Sequence, residues 1–307
     1  MGLGIKTRIK STNSALRYGF KTSKVYKNKY LKALLLCHSL EKGMGIIDVK
    51  KGYGKQKASD LIDVLEQLKS SGYKNTYEYR ECLAILKAYF SYQDRSGCDV
   101  SELKEKAKSI LEDNTSPYKG GYQILKKEDM LKGSQIDYSS FVSSRHSMRT
   151  YNKAPIDKKT IMEAVSLAKR APSACNRQPW KFYYTLDQEK AQKIASALPA
   201  QSFLKDIPYF GIVVVDKSLF NLSEINQWFI NGGIFINSLV LAFHSLGIGS
   251  CIFQYPIFMK TKDEIRKLLG IPESEEIISF LGFGYYPDEA KCIYADRRPD
   301  EMIAVEV

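Results

Sequence analysis

Up to about residue 135 the apolar positions recur at helical spacing. Leu61, Ile62, Val64, Leu65 and Leu68 share one face of residues 58–68, and Tyr79, Cys82, Leu83, Ile85, Leu86 and Tyr89 repeat the pattern in residues 75–89. A three-and-four spacing of this kind marks an amphipathic helix. Residues 30–40 read as a further helix ending near Gly43, a plausible C-cap, and residues 101–111 as another, with Ser101 as N-cap and Leu103, Ala107, Ile110 and Leu111 as its buried stripe. Strand-like alternation is scarce here. Residues 33–135 are therefore expected to form an all-helical extension of about four helices, with loops at 50–57 and 114–121 and a linker near 133–140.

The texture changes from residue 137. A short helix is expected at 139–144, then a helix capped by Asp157 and running to 169, a strand at 181–186 and a helix at 188–197. The run at 209–215, YFGIVVV, has the β-branched content and length of a fully buried strand. A long apolar helix follows at 223–246, then a strand at 247–253, a helix at 261–269 capped by Thr261, and a strand at 276–285. Strands and helices mix without βαβ repetition, so residues 137–307 are expected to be an α+β domain.

Composition bounds this picture. The 307 residues are 44% hydrophobic and 26% charged, the proportions of a soluble globular protein. No run of about twenty apolar residues stands out as a membrane span. The six cysteines form no C-x-x-C pair and the three histidines no metal-ligand spacing, so reduced cytoplasmic thiols and no metal are expected. The net charge of +12 is concentrated in residues 1–32, which hold nine Lys and Arg and no Asp or Glu. Such an arm suits an anionic membrane surface or an acidic partner, placing a cytoplasmic protein at the periphery of a membrane. A solvated arm explains it as well, and specific nucleic-acid binding is not expected, because no recognition module accompanies the charge.

Candidate chemistry lies in the second half. Arg145-His146-Ser147-Met148-Arg149 sets two guanidiniums and a hydroxyl close together, a suitable cradle for a phosphate. Pro172-Ser173-Ala174-Cys175-Asn176-Arg177-Gln178-Pro179-Trp180 is rich in donors. Leu246-Gly247-Ile248-Gly249-Ser250-Cys251 and Phe280-Leu281-Gly282-Phe283-Gly284-Tyr285 follow, and then Arg297-Arg298-Pro299.

In this order and spacing the segments resemble the nitroreductase family over residues 137–307, with Pro-Ser-x-x-Asn-x-Gln-Pro-Trp the most specific of them. The resemblance implies a nitroreductase-like fold, a mostly antiparallel central sheet flanked by helices. It also implies an interwoven homodimer with one FMN at each of two sites on its interface. By match, Arg145 and Ser147 would meet phosphate or ribityl oxygens with His146 beside them. Arg149 would lie near N1 and O2, where negative charge grows on reduction. Pro172, Ser173, Ala174 and Asn176 would reach the flavin from the partner subunit, and Arg298 or Arg297 would complete the phosphate clamp. Around the flavin N5 the chain departs from the family's small Gly-Gly-like step with Ile252-Phe253-Gln254-Tyr255, leaving a backbone N–H to serve there. Cys37-His38-Ser39-Leu40-Glu41-Lys42-Gly43 resembles a segment of a subgroup with an N-terminal helical extension, often associated with surface-polysaccharide biosynthesis.

The function implied is NAD(P)H-driven ping-pong hydride transfer to a small organic acceptor, with the chemistry carried by the flavin and no catalytic side chain assigned. Two other readings stand beside it: a non-catalytic binding or regulatory protein on the same scaffold, and an FMN-dependent dehydrogenase of a sugar or amino-acid-derived substrate.

Overall fold

A computed structural model of the protein describes residues 25–46, 49–112, 117–131, 133, 136–198, 202–221, 224, 226–253, 262–293 and 297–307. Most of the basic arm (1–24), Gln254 and the expected cap Thr261 lie outside the described residues.

The first half is helical: α1 (Val25–Met44), α2 (Lys55–Ser70), α3 (Tyr77–Arg95), α4 (Ser101–Lys106), α5 (Lys108–Leu111) and α6 (Lys127–Met130). The expected apolar stripes of α2 and α3 are buried, Leu61, Ile62, Leu65 and Leu68 on the first and Tyr79, Cys82, Leu83, Leu86 and Tyr89 on the second, whereas in the stripe at 101–111 Ala107 and Ile110 are buried and Leu103 and Leu111 only half-buried. Two local expectations are corrected. Gly43 does not cap a helix but sits inside α1, where the Tyr53 ring lies so close that an added Cβ would come within 2.0 Å of it. Tyr53 donates its hydroxyl to the Leu40 carbonyl at 2.6 Å, which fixes the ring there. Ser101 is the first helical residue rather than the N-cap, donating both N–H and hydroxyl to Asp99, and the helix breaks at Ala107. Residues 117–126 then cross α3 as a strap. A Cβ on Gly120 would stand 2.5 Å from the Ile85 backbone, and Gly121 donates its N–H to Glu41 at 3.0 Å.

The second half contains α7 (Tyr138–Ser144), α8 (Lys158–Ala168), β1 (Trp180–Thr185), α9 (Gln188–Ala197), β2 (Tyr209–Asp216), α10 (Gln227–Ser245), β3 (Ile248–Phe253), α11 (Lys262–Leu269) and β4 (Glu275–Tyr285). The sheet order is β1-β2-β4-β3 and every neighbouring pair is antiparallel, with Phe182 opposite Val213, Gly211 opposite Leu281 and Cys251 opposite Gly282. Central β2 is buried on both faces, as its uninterrupted apolar run requires. Tyr209 and Val213 join Leu281, Phe283 and the inner face of α10 on one side; Phe210, Ile212 and Val214 meet α9 and α11 on the other. The chain is thus α+β, an antiparallel sheet flanked by helices and preceded by a helical region.

Helix α10 starts four residues later than expected and lies on the sheet as a core helix, with Phe235, Leu239 and Phe243 essentially inaccessible. Gly232 permits the contact: a Cβ there would fall 2.6 Å from Ile278. The helical half is not packed apart from the sheet. Its hydrophobic cluster runs on through Val215, Leu219, Phe220 and Trp228.

Candidate active site

The arginine segment is extended, not helical. It follows α7 and lies along the outer edge of β3, where Ser147 bridges Ser250 and Met148 donates its N–H to the Ser250 carbonyl at 2.9 Å. Met148 is the anchor. Its side chain is buried over Gly249, where a Cβ would clash at 2.6 Å, and Tyr151 donates to the Met148 carbonyl at 2.7 Å. Alternation along an extended chain then sets Arg145, Ser147 and Arg149 on the side away from Met148.

Both guanidiniums act on one neighbour: burial pushes the Cys251 thiol up, and Arg149 and Arg145 pull it down. Arg149 also lies over the Phe203 ring at 5.7 Å. Because the Ser250 carbonyl faces this segment, the alternation of an edge strand turns the Ile252 N–H to the same side. Two cations, a serine hydroxyl and a backbone donor therefore gather along β3, with Phe253 next in the strand. His146 contacts the Ser144 carbonyl through Nδ1 at 2.9 Å. His244 is half-buried and bonded through both ring nitrogens, to Tyr286 at 2.8 Å and Ser144 at 2.9 Å. Arg297 and Arg298 lie on the exposed C-terminal segment.

The second donor-rich segment is built differently. Cys175, Asn176 and Gln178 all have left-handed backbone, at φ 51, 52 and 46°. For non-glycine residues this costs about 1–2 kcal/mol each. The conformation is held at several points. The Ala174 N–H meets Asn231 Oδ1 at 2.9 Å, and the Gln178 N–H meets Ser173 Oγ at 3.0 Å. The side chain of Arg177 is 1% exposed and pairs with Glu224. Its Nε–H donates to the Ala174 carbonyl at 3.0 Å. Asn176 is exposed and Cys175 half-buried.

The two segments hang on opposite ends of α10. Asn231 holds the loop, while Ser144, beside Arg145, bonds His244 thirteen residues on, which is about 20 Å along a helix axis. The structural roles of Arg177, Glu224 and Asn231 went unassigned from sequence; the one available signal was an asparagine on an otherwise apolar helix.

The helical half reaches the loop. Tyr77 is within 3.4 Å of Gln178, and the Arg177 charge bears on His38. Burial, followed by the charges of Lys42 and Arg177, lowers His38, while Glu41, instead of pairing on its own helix, accepts from Gly121. Burial raises the Glu81 carboxyl to about 7, the charges of Glu41 and Glu78 adding to the shift and a Tyr77 hydrogen bond opposing it. A cavity of about 710 Å³ opens between α1, α3 and β1, lined by Glu78, Glu81, Trp180 and Phe182 among others. It lies at the sheet edge opposite the arginine segment.

The site thus comprises a cationic segment along one edge of an antiparallel sheet and a strained donor loop across the molecule. A model of the nitroreductase family matches residues 142–227 and 189–285. A protein of Archaeoglobus fulgidus that bears the name NADH dehydrogenase/NAD(P)H nitroreductase is 32% identical over 164 residues, 52% of this chain and 93% of the relative. A 4-nitrobenzoate reductase of Pseudomonas putida is 24% identical over 213 residues, 54% of this chain and 92% of that protein. A solved Bacillus subtilis structure described as a nitroreductase shares the fold at TM-score 0.50 and 18% identity, covering 56% of this chain and 99% of that one. The chain belongs to the nitroreductase family and has the general oxidoreductase character of that family. The family match begins after the helical region.

Proposed function

We propose that the chain is an FMN-dependent oxidoreductase acting as a homodimer, in which NAD(P)H is the hydride donor and a small organic molecule the acceptor. Residues 137–307 form the FMN-binding domain and residues 33–135 a helical extension. The observation that carries this reading is the arginine segment laid along β3, with both guanidiniums bearing on Cys251 and the Ile252 N–H turned to the same side. That donor set suits a phosphate-tailed ring system: forked cations and a hydroxyl for phosphate and ribityl oxygens, and a backbone N–H for a ring nitrogen.

FMN, when bound, supplies hydride acceptance and donation. Arg145 and Ser147 hold its phosphate side, aided by Arg298 or Arg297. Arg149 holds a fixed positive charge where electron density accumulates, which favours the reduced state. The Ile252 N–H orients the ring, with Phe253 next in the strand. Pro172, Ser173, Ala174 and Asn176 come from the second protomer. The anchoring of the two segments thirteen residues apart on α10, about 20 Å along its axis, supports this, since it holds one protomer's own loop away from its arginine segment.

Surfaces for a second copy exist. Met162 and Leu167 on α8 and Phe229 and Ile230 on α10 are about half exposed. Near the C-terminus Ile303, Val305 and Val307 alternate at 69, 76 and 117% exposure. Exposed apolar sets of this kind mark interaction surfaces.

The test is the absorption spectrum of the purified protein, with FMN titration. A yellow protein, or one that takes up one FMN per chain and bleaches with NAD(P)H in the absence of oxygen, is expected. A colourless protein that binds no FMN overturns the proposal.

A further inference from the structure

In the segment resembling Pro-Ser-x-x-Asn-x-Gln-Pro-Trp, Arg177 occupies a variable position, so the family pattern does not call for it. Yet no other residue of the loop is so thoroughly engaged. Its guanidinium donates to Ala174 O at 3.0 Å, Leu219 O at 2.5 Å, Glu224 Oε2 at 3.1 Å and, more closely, Glu224 Oε1. The Phe220 ring lies 4.8 Å from its Cζ. Glu224 is fixed in turn by the Asn221 N–H at 3.0 Å. Burial works to lower the Arg177 pKa, but the hydrogen bond and charge of Glu224 outweigh it and leave it raised, so the pair stays ionised.

With its side chain 1% exposed, Arg177 is not a solvated surface cation. It bonds instead to the carbonyl at the start of the left-handed turn, between Asn176 and Gln178, whose backbones are strained. A buried bidentate pair costs desolvation and is weak evidence of stability for its own sake. Strain that is held from several directions is the usual mark of a preorganised functional loop.

We infer that Arg177, locked by Glu224, is a positioning residue: it holds the left-handed turn at Cys175 and Asn176 in the shape in which the loop Ser173–Asn176 grips the cofactor of the second protomer. The inference rests on the FMN-binding dimer proposed above. Mobility in this loop would then weaken the cofactor site across the interface while leaving the arginine segment of the same chain intact.

The experiment measures FMN dissociation constants by flavin fluorescence and the flavin midpoint potential for wild type, Arg177→Met, Arg177→Lys and Glu224→Gln, with sedimentation to establish the dimer. Arg177→Met should weaken FMN by about tenfold or more, the scale of a lost loop preorganisation, and should move the potential while the dimer persists. Arg177→Lys should recover part of the loss. Should Arg177→Met fail to fold, Glu224→Gln carries the same test, because it keeps the guanidinium and its carbonyl partners. Variants that melt earlier but bind FMN with wild-type affinity and potential would overturn the positioning role. A wild type that binds no FMN overturns the functional reading, and this inference with it.

Discussion

The arginine segment and the Pro172–Asn176 loop achieve placement by opposite means. The first relies on long charged side chains over an unstrained strand-like backbone, pinned by one buried methionine and one bridge to β3. The second presents short groups from a backbone forced into an unfavourable region and held by a buried ion pair and an asparagine. Long guanidiniums can follow a small displacement of their strand. A serine or a backbone N–H cannot, so its supports must be rigid. A cofactor seated between the two would be recognised by charge on one side and by shape on the other.

The largest test of this contrast removes the charge side. Arg145→Ala with Arg149→Ala should weaken FMN by about 100-fold or more, since charge-assisted hydrogen bonds are worth about 1.5–3 kcal/mol each. The residual binding should also lose much of its salt dependence, read by titration at several ionic strengths. Retention of wild-type affinity would remove the arginines from the site. Mixing that double-variant chain with an Arg177→Met chain sharpens the comparison. If each cofactor takes its arginines from one protomer and its loop from the other, the mixed dimer regains one intact site in two. If both come from one protomer, no site recovers, and counting tightly bound FMN per mixed dimer decides between them.

A smaller effect is expected from Asn231→Ala, which leaves the Ala174 N–H without its partner at 2.9 Å. A buried donor left unsatisfied costs about 1–3 kcal/mol. The melting temperature should therefore fall by a few degrees, and FMN affinity should fall with it. An unchanged melt and affinity would show that the ion pair alone holds the loop.

The smallest effect concerns the helical half. Glu81 is raised from 4.5 to about 7. In this interval the folded protein keeps a proton that the unfolded chain gives up, so stability falls as pH rises through the window. Glu81→Gln should flatten that slope and raise the melting temperature at the upper end, leaving the lower end unchanged. Melts at both ends would check it, and an unaltered slope would assign the dependence to other groups.

The contrast also explains what could be read in the chain. Apolar spacing announced α2, α3, α9 and each strand, because burial on one face or two leaves its period in the sequence. The arginine segment was visible because guanidiniums cluster for few reasons. Helix ends were less legible: Gly43 has the identity of a cap, but Tyr53, ten residues on, decides its role. The supports of the loop were least legible. Arg177, Glu224 and Asn231 come from three separate stretches and carry no spacing that links them, and left-handed backbone at Cys175, Asn176 and Gln178 has no glycine to signal it.

The shared packing of the two halves also bears on any shortened form of the chain. Leu219, Phe220 and Trp228 are at most 8% exposed, and they join the hydrophobic cluster of the N-terminal helices. A protein begun at residue 137 would bare an indole, a phenyl ring and a leucine beside the stretch that carries Glu224. Such a fragment invites aggregation, and it loosens the anchor of Arg177 even though no residue of the second half has been altered.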